Sequence, residues 1–145
     1  MKKRTQEPWM SAGEYGRQLP RFSVNLVVAD IKRSVAFYRD VLGAKEIYSD
    51  PDFAALELAG QQFMLHADHA YDHHPLYARL GQPGVRGTGA ELRVLGVDPD
   101  ALEARAKAAG ATILKPATDF AHGWREVMVA DLEGYIWAVG VPLRK

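Results

Sequence analysis

The stretch "FSVNLVVADIKRSVAFYRDVLG", residues 22–43, joins two different periodicities. Val24, Leu26 and Val28 alternate with Ser23, Asn25 and Val27, which is the two-residue period of a strand. After Asp30 the apolar positions Ile31, Val35, Tyr38 and Leu42 recur at helical spacing. Asp30 stands where its carboxylate can accept the unpaired first-turn N–H groups, and Gly43 suits the left-handed residue that ends a helix. "KEIYSD" (45–50), "FAALELA" (53–59) and "QQFMLHA" (61–67) then read as three short strands, with Asp50-Pro51-Asp52 and Gly60 as turn punctuation.

The same order returns half a chain later. "AELRVLGV" (90–97) reads as a strand, Asp98 as a cap and Pro99 as a first helical residue. Leu102, Ala106 and Ala109 form the apolar stripe, Glu103 and Lys107 an exposed i,i+4 pair, and Gly110 the stop. "ATILKPA" (111–117), "WREVMVAD" (124–131) and "YIWAVG" (135–140) supply three more strands, the last two joined by a tight turn at Asp131-Leu132-Glu133-Gly134. Strand, aspartate, helix, glycine and three strands thus occur twice, an internal repeat.

One such unit has an apolar sheet face that it cannot cover alone. The expectation is an α+β fold of two βαβββ repeats whose sheets lie side by side and curl into an open mixed-sheet cup, with the helices outside and ligands inside. The units are residues 22–66 and 87–140 of a single domain, 22–145, joined by a connection at 67–86. That connection is rich in His, Gly and Pro and long enough to carry function or form a lid. Residues 1–21 read as an N-terminal extension, part of which packs through Trp9, Met10 and Tyr15.

Composition narrows the function. The 18 Lys and Arg balance 18 Asp and Glu, so nothing points to nucleic acid or a membrane surface. The absence of cysteine excludes disulfides and thiolate metal sites. The basic start lacks the apolar run of a signal peptide, and no segment approaches a membrane span, so a cytoplasmic location is expected. Walker, dinucleotide and G-x-S-x-G motifs are missing.

The motifs "VADIKRSVAFYRDVLGA" (28–44) and "HGWREVMVADLEGYIW" (122–137) resemble those of the vicinal oxygen chelate superfamily. That superfamily groups glyoxalases, extradiol dioxygenases, fosfomycin-resistance enzymes and bleomycin-resistance proteins. The second motif looks most like the bleomycin-resistance branch, whose members commonly have Trp-Gly and then Arg-Glu before the final turn. Here His122 replaces that Trp, ahead of Gly123, Arg125 and Glu126. The resemblance implies four metal ligands, which carry over to Ser23, Met64, Glu91 and Ala138. Only Glu91 is a good ligand for Zn, Ni, Fe or Mn, so no metal or other cofactor is expected at the inherited site.

Alternation places Ser23, Asn25, His66, Glu91 and Arg93 on the face expected to be concave, with Trp124 as a nearby aromatic wall. Arg93 can bind an anionic group, or it can pair with Glu91. His66 can hydrogen-bond Asn25 or Glu91, or join Glu91 in a displaced divalent-metal site aided by His69, His73, His74 or His122. Trp137 is expected in the core. The expected function is small-molecule binding in the cup by a homodimer, of the kind that protects by sequestration. The competing reading is a divergent metal-dependent lyase, isomerase or dioxygenase using His66 and Glu91.

Overall fold

Each copy of the repeat builds its own four-stranded sheet in the computed structural model, which describes residues 1–144. The first sheet holds β1 (Asn25–Val28), β2 (Lys45–Ser49), β3 (Phe53–Leu58) and β4 (Gln61–Ala67) in the order β1-β4-β3-β2. The second holds β5 (Glu91–Leu95), β6 (Thr112–Asp119), β7 (Trp124–Ala130) and β8 (Ile136–Pro142) in the order β5-β8-β7-β6. In each sheet the first and last strands pair in parallel and the other pairs are antiparallel. The helices are α1 (Ala12–Gln18), α2 (Ile31–Asp40) and α3 (Pro99–Ala108).

This arrangement corrects the expected curled cup. Among the described residues β1 pairs only with β4 and β5 only with β8, so the sheets are open and separate. The repeat specifies pairing inside a unit, where short turns and one helix bring strands together. It contains no signal that would pair the edge strands β1 and β5 with each other.

One unit comprises Met1–Arg39 and Ala44–Leu80; the other comprises Asp40–Gly43 and the chain from Gly81 onward. In the first, Asp30 caps α2 by accepting from Arg33 N–H at 2.9 Å. Tyr38, fully buried, meets Phe63 of β4 edge-on at 5.4 Å, which sets α2 against the sheet face that carries Phe63 and Leu65. The opposite face follows from the register: Asn25 beside Met64, Val27 beside His66, with Ala55 and Phe53 next on β3.

The N-terminal segment covers that second face, which the sequence reading had left open. Ser11 and Glu14 close a reciprocal capping box on α1. Tyr15 meets Phe53 edge-on at 5.4 Å, and Trp9 stacks on Tyr48 at 5.3 Å. The buried Asp52 carboxylate accepts from the backbone N–H of Lys3 at 2.7 Å and of Arg4 at 3.1 Å. Helices therefore lie on both faces of this unit rather than only outside. Val27, assigned by alternation to the polar face, is as buried as Val28 for that reason.

In the second unit, Asp98 caps α3 through Asp100 N–H and Ala101 N–H, and Pro99 opens the helix. Leu102 and Ala106 are fully buried where α3 packs on β6, β7 and β8. Lys107 pairs with Glu103 at 2.7 Å. Trp137, Val94 and Val139 are buried, with Trp137 in the core as its parity required. The Asp131 carboxylate closes the last turn by accepting from Glu133 N–H and Tyr135 N–H. Gly134 sits so close to Gly84 that a Cβ would lie 2.4 Å from its carbonyl oxygen. No helix among the described residues is long and apolar enough to cross a membrane.

Candidate ligand-binding site

A cavity of about 400 Å³ lies in the first unit, between the N-terminal segment and the sheet. Its walls include the rings of Trp9, Tyr15, Phe53, His66 and Tyr71, with the Met64 thioether beside them. β3 and β4 place Phe53, Met64 and His66 on one face by register, α1 supplies Tyr15, and the short 3-10 turn Asp68–Tyr71 supplies Tyr71. Phe53 is the hub, 5.4 Å from the Tyr15 ring and 5.0 Å from His66. His66 is in turn 5.1 Å from Tyr71.

Lys2, Arg4 and Asp52 bring charge to the lining of this cavity, while the polar groups among its rings are neutral. Asn25 Nδ2 donates to the Tyr71 hydroxyl at 2.6 Å, and Asn25 Oδ1 lies 2.6 Å from His66 Nδ1. A carbonyl oxygen only accepts, so with Asn25 in this orientation Nδ1 carries the hydrogen and Nε2 is left as an acceptor. Burial lowers the His66 pKa to about 4; Asp50 opposes this and His74 adds to it. The ring is therefore neutral at pH 7. Tyr15 is 5% exposed and its hydroxyl has no hydrogen-bond partner. Burial also raises the Tyr15 pKa, which keeps the hydroxyl protonated.

A wider groove of about 550 Å³ runs along α2 and the end of β2. Lys32 and Arg39 share it with Asp30, Glu46 and Asp50, and no Phe, Tyr or Trp lines it. Its size exceeds that of the aromatic cavity, but its mixed charges and lack of an aromatic wall make it the poorer ligand site.

The second unit gathers charge on the corresponding face. Arg93 Nη1 donates to Glu91 at 2.6 Å and Nη2 to the buried Glu126. His122 Nε2 lies 3.3 Å from the same Glu126 oxygen. The hydrogen bonds that Arg93 donates to Glu91 and then to Glu126 hold its pKa above the ordinary value. β8 makes room for this pairing with small residues: Ala138 is opposite Arg93, and Gly140 is opposite Glu126. A Cβ on Gly140 would lie 2.8 Å from Glu126 Cγ and 2.2 Å from the Arg125 carbonyl oxygen. Trp124 opens β7 opposite Pro142.

The four inherited ligand positions do not fit a metal ion. Ser23 donates its hydroxyl to the Pro20 carbonyl at 2.5 Å, Met64 offers only a thioether, Glu91 is engaged by Arg93, and Ala138 has no donor atom. Among the described residues no group of three His, Asp or Glu side chains could hold a metal.

Of the residues expected at a site, the structure brings Asn25 and His66 together in the first unit and Glu91 and Arg93 together in the second. Trp124 also belongs to the second unit. The sequence reading missed Trp9, Tyr15 and Tyr71 as cavity walls and Glu126 as a second partner of Arg93. "SAGE" at 11–14, a Ser-x-x-Glu capping pattern, was the signal for a helix in the extension. The connection 67–86 contributes Tyr71 to the cavity wall, while two of its histidines have other partners. His69 binds Asp52 at 2.6 Å and His74 stacks on Tyr71 at 4.4 Å.

Comparison with known proteins followed the same lines. The family described as the Glyoxalase/Bleomycin resistance protein/Dioxygenase superfamily matches residues 21–139. An uncharacterized protein of Mycobacterium bovis is 31% identical over 135 residues, covering 87% of this chain and 86% of that protein. A glyoxalase/bleomycin resistance protein/dioxygenase family enzyme from Burkholderia phytofirmans PsJN superposes with a TM-score of 0.68 at 26% identity, covering 83% of this chain and 97% of its own. TioX from Micromonospora sp. ML1 superposes with a TM-score of 0.66 at 27% identity, over 86% and 99% of the two chains.

Proposed function

The chain belongs to the glyoxalase/bleomycin resistance protein/dioxygenase superfamily, and on that premise we propose that it binds a small aromatic molecule in the cavity of its first unit. The observation that carries this reading is a cavity with five rings in its walls, one of them Tyr15, whose buried hydroxyl has no hydrogen-bond partner. A native interior rarely leaves such a group unsatisfied unless a water or a ligand completes it. Asn25 and His66 belong to this site. Glu91, Arg93 and Trp124 support the second unit instead, because Arg93 is already occupied by two carboxylates.

Binding without the inherited metal fits the donor chemistry at Ser23, Met64, Glu91 and Ala138, and it fits sequestration of a toxic compound better than metal-dependent lyase, isomerase or dioxygenase chemistry. The same reading takes the protein as a cytoplasmic homodimer, which light scattering on purified protein checks. Titration calorimetry with 2-naphthol tests the site. The expected result is measurable binding by the wild type and about a tenfold loss in Trp9→Ala, which removes one aromatic wall. Absence of binding by the wild type overturns the reading.

A further inference from the structure

Of the cavity's charged lining residues Lys2 is exposed to solvent, whereas Arg4 and Asp52 are already engaged, and this bears on what the cavity can hold. Asp52 takes the N–H groups of Lys3 and Arg4 and the His69 ring, while the Arg4 guanidinium lies 3.6 Å from Asp50. What remains without a partner is the buried Tyr15 hydroxyl and one imidazole lone pair on His66, on residues that flank the same Phe53 ring. An ion entering among the rings would lose water and meet no free buried counter-charge, since Lys2 stays exposed to solvent. A neutral ring system that offers one donor and one acceptor would satisfy both groups.

We infer that the cavity selects a flat, uncharged, hydroxyl-bearing aromatic ligand, whose hydroxyl donates to His66 Nε2 and whose acceptor oxygen receives the Tyr15 hydroxyl. The inference rests on the reading of this cavity as the binding site and adds the chemical class. His66 is pre-set for the role: Asn25 holds Nδ1–H, and Tyr71 holds Asn25, so the acceptor nitrogen is fixed before a ligand arrives. Asn25 and Tyr71 are accordingly positioning residues. Specificity follows from unpaired groups, because an analogue lacking either oxygen leaves one buried polar atom unsatisfied.

Three probes separate the possibilities by calorimetry. Methyl 6-hydroxy-2-naphthoate carries the hydroxyl and the acceptor at opposite ends of one ring system; methyl 6-methoxy-2-naphthoate lacks the donor; 2-naphthol lacks the ester acceptor. The wild type should bind the hydroxy ester about tenfold or more tightly than the methoxy ester. In Tyr15→Phe the hydroxy ester should weaken about tenfold while 2-naphthol is unchanged. The melting temperature of Tyr15→Phe should equal or exceed that of the wild type, since the substitution removes an unsatisfied hydroxyl. A purely structural hydroxyl would instead lower it. Equal affinity for the two esters, or no effect of Tyr15→Phe on the hydroxy ester, overturns the ligand class while binding of 2-naphthol leaves the site standing. Failure of all three probes to bind the wild type removes the site itself.

Discussion

Position by position, the two units place different chemistry on the same scaffold. In the first, the parallel pair sets Asn25 beside Met64 and Val27 beside His66, with Phe53 opposite His66 on the next strand. In the second, the parallel pair sets Arg93 beside Ala138 and Leu95 beside Gly140, with Glu126 opposite Gly140. His66 and Gly140 therefore hold corresponding places, as do Phe53 and Glu126. One unit spends this face on a cavity walled by rings and roofed by α1. The other fills it with an ion pair that crosses a glycine. Duplication sets the backbone, whereas the face residues and one added segment decide what each copy does.

The largest effect that could break this comparison lies at Gly140. If the strand is kept bare so that Glu126 can cross it, Gly140→Ala should cost about 4 kcal/mol, because the new Cβ meets a backbone oxygen that cannot move aside. Denaturant unfolding measures it. A cost below about 1 kcal/mol would mean that the close approach is not a constraint.

The corresponding position in the first unit should reveal itself through pH. His66 has a folded pKa of about 4, below the ordinary 6.5, so the unfolded chain takes up its proton first. This contribution to stability is complete above pH 6.5 and is lost as pH falls from there toward 4, by about 3 kcal/mol at most. Unfolding curves for the wild type and His66→Asn at about pH 7 and about pH 4.5 isolate it, with the smaller pH loss expected in the variant. Equal losses would place the imidazole in contact with water.

Much of the backbone was legible beforehand because it rests on local signals. Asp30 and Asp98 announce their helices by side-chain chemistry, and Gly43 and Gly110 end them with positive φ. Burial of Trp137 followed from parity alone. Three things were not legible. Helix α1 has only seven residues and no apolar stripe of its own, so its cap was its only local mark. Separation of the two sheets depends on edge strands, whose pairing no local pattern encodes. The bond between Arg93 and Glu126 joins residues far apart in the chain, and Glu91, two residues away, was the nearer suggestion. At the candidate site, the pairing of His66 with Asn25 was one of three readings left open by alternation, and it is the bond the structure contains.

A smaller effect sharpens the assignment of the charged cluster. Arg93→Ala removes the main partner of a buried carboxylate and should lower stability by about 2 kcal/mol, less than for a fully buried pair because Arg93 is partly exposed. The variant that remains folded should bind 2-naphthol as the wild type does. A drop in affinity without loss of stability would move Arg93 into the ligand site.

The account stands most directly on where a small aromatic molecule goes. A ¹H–¹⁵N spectrum of the protein recorded during titration with 2-naphthol locates it. The account predicts that the largest shift changes fall on the Trp9 indole N–H and on the backbone amides of Tyr15, Phe53, His66 and Tyr71, with residues 91–93 and 124–126 unmoved. Changes centred on Glu91, Arg93 and Trp124, with the first unit silent, would contradict it.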